Sequence, residues 1–238
     1  MSSASLEVTA ERPIRTASLT AGIGLLLMSV LAGFGKFVAI DGLVTPGDAA
    51  RTAIDITESA GLFRLGIAAL FVVIALDVVV AWGLYRVFRP VNRNLSMVAA
   101  AFRLVYSGVF LVAIGQLFEP LRLLAGDAYL AVFTADQLNT QALLGITAFT
   151  DLWMVSLGLF GVHLLILGYL AYRSGYVPRF LGVLLVIAGF GYVIDSFGVM
   201  LSPGVWADVS TYTFIGEFLL ALWLVIQGRR VTSTGSSN

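Results

Sequence analysis

Charged side chains inside apolar segments constrain this chain more than any other feature. Most of the sequence consists of apolar runs with the length of membrane helices, and nine ionisable residues lie within them. A charge that faces lipid at the middle of a bilayer costs roughly 2.5–3.5 kcal/mol on insertion scales. These side chains must therefore pair inside a helical bundle or line a wet cavity, and any function lies where they gather. They are Arg64, Asp77, Arg103, Glu119, Arg122, Asp151, His163, Asp195 and Glu217.

The composition is that of a membrane protein. Of the 238 residues, 59% are hydrophobic and 12% are charged, whereas soluble domains are about 45–50% apolar and about 25% charged. The formal net charge is zero, so no overall field favours nucleic acid. The chain has no cysteine and one histidine, which excludes thiolate metal sites and argues against a zinc hydrolase. We therefore expect neither a metal nor a cofactor.

Six segments are long enough to cross a bilayer as helices, which takes about 20 apolar residues. They are residues 18–40, 61–88, 96–124, 141–172, 178–201 and 206–228. The sequence thus predicts an all-α, polytopic bundle of six transmembrane helices. Residues 1–17 are expected to be a polar tail, residues 18–230 the membrane domain, and residues 231–238, rich in Ser, Thr and Gly, a disordered tail.

The arginines predict the orientation of this bundle. If the chain has six spans, most of the arginines outside the apolar segments lie on one side of the membrane. They are Arg12, Arg15, Arg86, Arg89, Arg93, Arg173, Arg179, Arg229 and Arg230. The opposite loops carry mostly acidic residues: Asp41, Asp48, Asp55, Glu58, Asp127, Asp136 and Asp208. By the positive-inside rule, both termini are expected to be cytoplasmic.

Two of the outer loops carry the signals of short helices. Thr45 followed by Pro46 is typical of a helix start, with the threonine as cap. The segment 49–59 that follows is amphipathic and is expected to lie at the outer interface. Thr134 and Gln137 fit a capping box, which predicts the start of the helix that becomes the fourth span.

Glycines on the fourth and fifth spans predict close helix packing. Small residues let two helix backbones approach each other inside a membrane. The glycines concerned are Gly158, Gly161, Gly182, Gly189 and Gly191. We interpret them as helix contacts and not as a cofactor motif.

Three of the ionisable residues are predicted to form an inner polar layer. At 1.5 Å per residue, Asp77 lies roughly 24 Å below the outer end of its span, and Arg103 lies roughly 11 Å above the inner end of the next. His163 falls at a similar depth. The simplest interpretation is an Asp77–Arg103 ion pair that fixes helix register, and the alternative is a role in a pathway. His163 is either a hydrogen-bonding core residue or a proton relay.

The remaining ionisable residues predict an outer polar layer. Pro120 is expected to kink the third span beside the Glu119–Arg122 pair. Asp195 and Glu217 have no cation within reach on their own helices. Unless an arginine neutralises them, they are candidates for proton exchange or for a cation site, and the alternative is a satisfied structural role. The candidate ligand-binding set is Arg64, Glu119, Arg122, Asp151, Asp195 and Glu217.

Several strings resemble a family of bacterial and archaeal membrane proteins, the domain of unknown function 4386. The strings are residues 46–50, 62–66, 89–95, 102–105, 163–169, 172–176, 191–196 and 214–217. The resemblance extends from Thr20 to Gly228. It implies a multi-span protein of a prokaryotic plasma membrane, and it implies no activity and no residue roles.

Three functions remain open from the sequence. The first is binding or transport of a small molecule, a lipid or an ion through a polar cavity within the membrane. The second is a structural or accessory membrane protein whose buried charges only hold the bundle together. The third is an intramembrane enzyme, which no recognisable nucleophile or metal constellation supports. The lipid bilayer is the expected partner, no nucleic acid is expected, and the sequence does not fix the oligomeric state.

Overall fold

The computed structural model describes residues 3–202 and 209–228, with side chains from Arg15 onward. Within these ranges the chain is helical and contains no β-strand. The predicted disordered tail, residues 231–238, lies outside the described residues. So do Asp208, Arg229 and Arg230, on which part of the orientation argument depends.

Nine α-helices follow one another in the described ranges. They are α1 (Ser3–Gly33), α2 (Ala49–Glu58), α3 (Ala60–Phe88), α4 (Arg93–Gln116), α5 (Phe118–Leu123), α6 (Ala135–Arg173), α7 (Arg179–Leu201), α8 (Ser210–Thr213) and α9 (Ile215–Ile226). Helix α1 continues directly into a π-helix, Phe34–Ile40, and a 3₁₀ turn, Asp41–Leu43. A second 3₁₀ helix, Ala128–Val132, precedes α6.

Five stretches of the described chain are long and apolar enough to cross a membrane. They are Arg15–Leu43, Ala60–Phe88, Arg93–Leu123, Ala135–Arg173 and Arg179–Leu201. Each overlaps one of the first five predicted spans. The stretch Ser210–Ile226, which falls within the predicted sixth span, is apolar but shorter. A sixth crossing and the orientation of the termini therefore stay predictions.

The predicted start of α2 is wrong by three residues. The helix begins at Ala49, and the carboxylate of Asp48 caps it by accepting a hydrogen bond from the Arg51 backbone N–H at 2.8 Å. Gly47 has a φ of +78°, a left-handed conformation that ends any right-handed helix before it. A helix starting at Pro46 is therefore impossible. Thr45 instead closes the turn, donating its N–H to Thr52 Oγ1 at 3.0 Å.

Two other helix boundaries follow the sequence. The capping box at Thr134 and Gln137 is present, and α6 begins directly after it. The predicted kink at Pro120 is a break: α4 ends at Gln116 and α5 begins at Phe118. Proline has no N–H to donate to the carbonyl four residues earlier and its ring crowds that carbonyl. In this chain that carbonyl belongs to Gln116, where α4 ends.

The long helices pack as a ring that closes on itself. Each of α1, α3, α4, α6, α7 and α9 contacts the next, and α9 returns to α1. Helix α6 has 39 residues, roughly 58 Å, so it is longer than the roughly 30 Å core of a bilayer. Its first turns pack against α2 and α5. The arrangement leaves an interior onto which all six helices can place side chains.

The seam between α6 and α7 depends on two pairs of glycines. A Cβ on Gly161 would lie 2.6 Å from the Gly189 carbonyl oxygen, and a Cβ on Gly168 would lie 2.7 Å from that of Gly182. Both contacts are reciprocal, because a Cβ on Gly189 or on Gly182 would meet the facing carbonyl at 2.7 and 2.8 Å. The two pairs are seven residues apart on each helix, so they mark one continuous line of close backbone contact.

A tyrosine ties the α6–α7 connection to the end of α3. The Tyr176 hydroxyl donates a hydrogen bond to the Val87 carbonyl oxygen at 2.6 Å, and its ring stacks on Phe88 at 6.3 Å between centroids. Burial raises the pKa of this hydroxyl above its ordinary value, which keeps it protonated as the donor.

Candidate functional site

The three residues of the predicted inner layer lie together, inside the ring. Arg103 of α4 donates to Asp77 of α3 from Nε at 2.7 Å and from Nη2 at 2.6 Å, with both contacts on Oδ1. The second oxygen, Oδ2, accepts from the Ser107 hydroxyl at 2.9 Å. Asp77 is 0% exposed and Arg103 is 2% exposed. The pair is therefore fully withdrawn from solvent, and each carboxylate oxygen has a donor.

His163 of α6 completes this inner cluster, which we define as Asp77, Arg103, Ser107 and His163. Its Nδ1 lies 2.8 Å from the Ala99 carbonyl oxygen, and its Nε2 lies 3.3 Å from Arg103 Nη1. A carbonyl can only accept and a guanidinium can only donate. The imidazole must therefore carry its proton on Nδ1 and accept on Nε2. It is neutral, and both of its nitrogens are engaged.

The inner cluster has the properties of a structural element. Each charged group is paired, and the guanidinium also lies 5.1 Å above the Phe160 ring. Such a network holds α3, α4 and α6 in one register, because shifting any of them would bury an unpaired charge. Every side-chain nitrogen and oxygen of the cluster has at least one hydrogen-bond partner.

A continuous series of aromatic rings begins at the inner cluster. Tyr106 contacts Phe160 at 4.9 Å and Phe110 at 5.9 Å between centroids, and Phe160 contacts Tyr192 of α7 at 5.6 Å. Phe110 then contacts Trp153 at 5.9 Å. Phe149 ends the series, 6.1 Å from Trp153. We define these six side chains of α4, α6 and α7 as the aromatic column.

Two buried polar atoms at the aromatic column lack a hydrogen-bond partner among the described residues. They are Trp153 Nε1, a donor, and Glu217 Oε1, an acceptor. The Tyr192 side chain lies beside the Glu217 carboxylate. The Tyr106 side chain lies beside the Trp153 indole and near Glu217. The indole and the carboxylate therefore lie near the same tyrosine.

The π-helix places a lysine at the Trp153 end of the column. Lys36 is 7% exposed, and its Nζ lies 5.3 Å from the Trp153 ring centroid and 5.9 Å from that of Phe149. The ammonium also forms an ion pair with Asp41 in the following 3₁₀ turn. π-Helical turns are rare and concentrate at functional sites. The charge of Lys36 is thus already matched by Asp41 and by two aromatic faces.

Asp195 of α7 caps the start of the last helical segment. Its Oδ1 accepts from the Val209 backbone N–H at 2.9 Å, and its Oδ2 accepts from the Ser210 N–H at 2.6 Å. The side chain is 0% exposed. Of the two interpretations that the sequence left open for Asp195, these contacts favour the structural one, in which it anchors α8 to α7.

The remaining members of the predicted outer layer do not join the aromatic column. Arg64, Glu119, Arg122 and Asp151 are exposed on the outside of the bundle. The structure thus brings together Asp77, Arg103 and His163, and it places Glu217 apart from these four exposed residues. A ligand-binding role for the exposed four stays a prediction.

Sequence reasoning did not select Lys36, Tyr106, Trp153 or Tyr192 as site residues. Lys36 could have been selected from the sequence, because it is a charged residue near the end of an apolar span. Single aromatic residues in an apolar span carry no such signal, since most of them face lipid or core. Among the described residues, no group of His, Asp and Glu is arranged to hold a metal ion.

The comparisons with known proteins identify a family. The domain of unknown function DUF4386 matches residues 20–228. An uncharacterized protein of Archaeoglobus fulgidus is 36% identical over 171 residues, which cover 72% of this chain and 88% of that protein. No solved structure matches the chain. The resemblance seen in the sequence strings is confirmed, and the chain belongs to the DUF4386 family.

Proposed function

We propose that this protein is a six-span integral membrane protein that binds a small molecule inside the bundle, at the aromatic column. Five long apolar helices support the membrane assignment. Helices α8 and α9 supply the sixth crossing in this proposal, because α9 closes the ring between α7 and α1. The arginine pattern supports cytoplasmic termini in a prokaryotic plasma membrane.

The observation that carries the binding site is the pair of unpartnered polar atoms. Leaving a buried donor or acceptor unsatisfied costs about 1–3 kcal/mol, and native proteins contain few such groups. Here Trp153 Nε1 and Glu217 Oε1 are two such atoms among the described residues, and both side chains lie near Tyr106 of the column. An apolar, aromatic lining with a few convergent polar groups is typical of small-molecule sites. A bound molecule would supply both missing partners.

Native mass spectrometry tests this proposal. The full chain, released from a mild detergent, is compared with Glu217→Gln and with Glu119→Gln as the matched control at an exposed carboxylate. We expect a bound mass on the wild type and on the control, and its loss from Glu217→Gln. A wild type that carries no mass beyond water and detergent would contradict the proposal.

The inner cluster favours a second candidate, a structural or accessory protein. Its charged and polar groups are paired with one another, so it needs no ligand. In that case function would lie on surfaces that contact partner proteins. In the inner cluster the Ser107 hydroxyl donates to Asp77, whose carboxylate is held by Arg103, so we propose no catalytic reaction there.

A further inference from the structure

We propose that one end of the bundle, where α3 passes into α4 and α6 passes into α7, binds the headgroup of an anionic phospholipid. This site is separate from the aromatic column. The inference needs only the membrane assignment of the long apolar helices, and it stands whether or not the column binds a ligand. It follows from three features of this end: arginines without counter-ions, a contact that joins the two turns, and aromatic side chains beside the arginines.

The structure pairs none of the arginines at this end with a described carboxylate. They are Arg86, Arg89, Arg93, Arg173 and Arg179, of which Arg86 is half-buried and the others are exposed. The ion pairs among the described side chains involve other residues. The acidic loops that contain α2 and α5 lie at the opposite ends of α3, α4 and α6. Within the described side chains, the positive charge of this end is therefore not neutralised.

A tyrosine joins the two turns that carry these arginines. The Tyr176 hydroxyl donates to the Val87 carbonyl oxygen at 2.6 Å, and its ring stacks on Phe88. Arg89 directly follows Phe88. Arg179 lies three residues after Tyr176, a backbone reach of at most roughly 11 Å. The contact therefore gathers arginines that are far apart in sequence, and we define the five as the arginine patch.

Two aromatic side chains place the arginine patch at the level of the lipid headgroups. Trp82 and Tyr172 are about half exposed on the outside of the bundle, and exposed Trp and Tyr of membrane helices concentrate at the membrane–water interface. The Arg86 guanidinium carbon lies 5.8 Å from the Trp82 ring centroid, and that of Arg179 lies 5.5 Å from the Tyr172 ring centroid. Both guanidinium groups are thus held where phospholipid phosphates lie.

The chemistry of the arginine patch selects a phospholipid with a net negative charge. A guanidinium donates two parallel hydrogen bonds to a phosphate and keeps its charge at any physiological pH. Clusters of arginine at the ends of membrane helices attract anionic headgroups. A zwitterionic headgroup such as phosphatidylcholine carries an ammonium group that the patch repels. Phosphatidylglycerol has the phosphate without that cation, so it is the occupant that fits.

Native mass spectrometry of the full chain, titrated with lipid in a mild detergent, tests the site. Phosphatidylglycerol is compared with phosphatidylcholine of the same acyl chains, and we expect the wild type to bind the first about tenfold more tightly or better. Replacing both Arg89 and Arg179 by Gln should weaken phosphatidylglycerol binding by about tenfold or more, since each arginine near the surface contributes about fivefold. The matched control replaces Arg64 and Arg122, two exposed arginines outside the patch, and should leave this affinity within about twofold of the wild type.

Tyr176→Phe separates a joined site from general attraction by charge. It removes the hydroxyl that ties the two turns together and leaves every arginine in place, so phosphatidylglycerol affinity should fall several-fold. Attraction by net charge alone predicts no change. Equal binding of the two lipids, equal losses in the two double variants, or an unchanged affinity in Tyr176→Phe would each overturn the proposal. If Tyr176→Phe does not fold, the comparison of the two double variants decides.

Discussion

At the scale of single residues, the buried Asp77–Arg103 pair and the Glu217 carboxylate differ in how their hydrogen-bonding positions are used. Asp77 and Arg103 satisfy each other, and His163 and Ser107 take up the positions that remain. Glu217 Oε1 has no hydrogen-bond partner among the described residues. The first arrangement is complete without a ligand, and in the proposed function a ligand completes the second.

The ion pair makes a prediction about coupled mutations. Asp77→Asn alone leaves the Arg103 guanidinium buried without its anion, and Arg103→Gln alone leaves the carboxylate unpaired, so each should destabilise the protein by about 3–5 kcal/mol. The double variant restores a neutral, hydrogen-bonded pair and should lose clearly less than the sum of the two. The measurement is the equilibrium unfolding free energy in detergent micelles.

The exposed carboxylate Glu119 provides the control for this cycle. Glu119→Gln should change the unfolding free energy by less than about 0.5 kcal/mol, because surface substitutions away from special features have small effects. Additive losses in the Asp77 and Arg103 variants would show that the two side chains do not act as a pair, and the structural interpretation of the inner cluster would fail.

At the scale of helices, the sequence predicts what depends on length and periodicity and misses what depends on local geometry. The five long spans follow from runs of apolar residues, and the break before Pro120 follows from its missing N–H. The start of α2 is missed because both Thr45 and Asp48 are good caps, and only the positive φ of Gly47 decides between them. The π-helix leaves no pattern in the sequence at all.

The α6–α7 seam gives the second prediction. Gly168→Ala places a methyl group against the backbone carbonyl of Gly182, which cannot move aside easily, so the two helices must separate. We expect a loss of about 1–3 kcal/mol from overpacking. Gly108→Ala is the matched control, because a Cβ at that position on α4 meets open space within 4 Å, and alanine is the better helix former.

Thermal unfolding of both glycine variants in the same detergent is the measurement. The Gly168 variant should unfold at a lower temperature than the wild type, and the Gly108 variant at the same temperature or a higher one. Equal midpoints for the two variants would show that the close approach of α6 and α7 contributes nothing to stability.

At the scale of the whole molecule, the ring of helices accounts for the distribution of charges. Apolar side chains such as Phe71, Val112 and Phe197 are exposed on the outside, whereas Asp77, Arg103 and Asp195 are buried within it. The sequence predicts this pairing of the inner charges, because depth along each span can be counted. The sequence does not predict which residues of the outer half face inward. The rotation of each helix about its axis is set by packing against its neighbours, and a single sequence does not reveal that packing.

The six-span proposal makes a prediction about the two termini. Both are expected in the cytoplasm, since an even number of crossings returns the chain to its starting side and arginines mark that side. Reporter domains that are active only in the cytoplasm should be active at either end, and inactive when inserted at Gly126, a loop glycine that is predicted to face outward. A reporter that is active at only one terminus would indicate an odd number of crossings.

The π-helix of residues 34–40 also bears on how this chain can change length. A π-helical turn holds one residue more than the α-helical turns on either side, as the hydrogen bond from the Asp41 N–H to the Lys36 carbonyl shows. Removing Val38, whose side chain is 54% exposed, would convert the segment to an ordinary α-helix and keep the flanking faces in place. Removing Val30, which is 71% exposed but lies within α1, would rotate every later residue of the helix by about 100° relative to the residues before it.

The folded yield in a detergent extract should therefore be unchanged by the Val38 deletion and should fall with the Val30 deletion. Equal losses would argue against a surplus residue in the π-helix. The π-helix is thus the place where we expect this chain to lose a residue without rebuilding its interior.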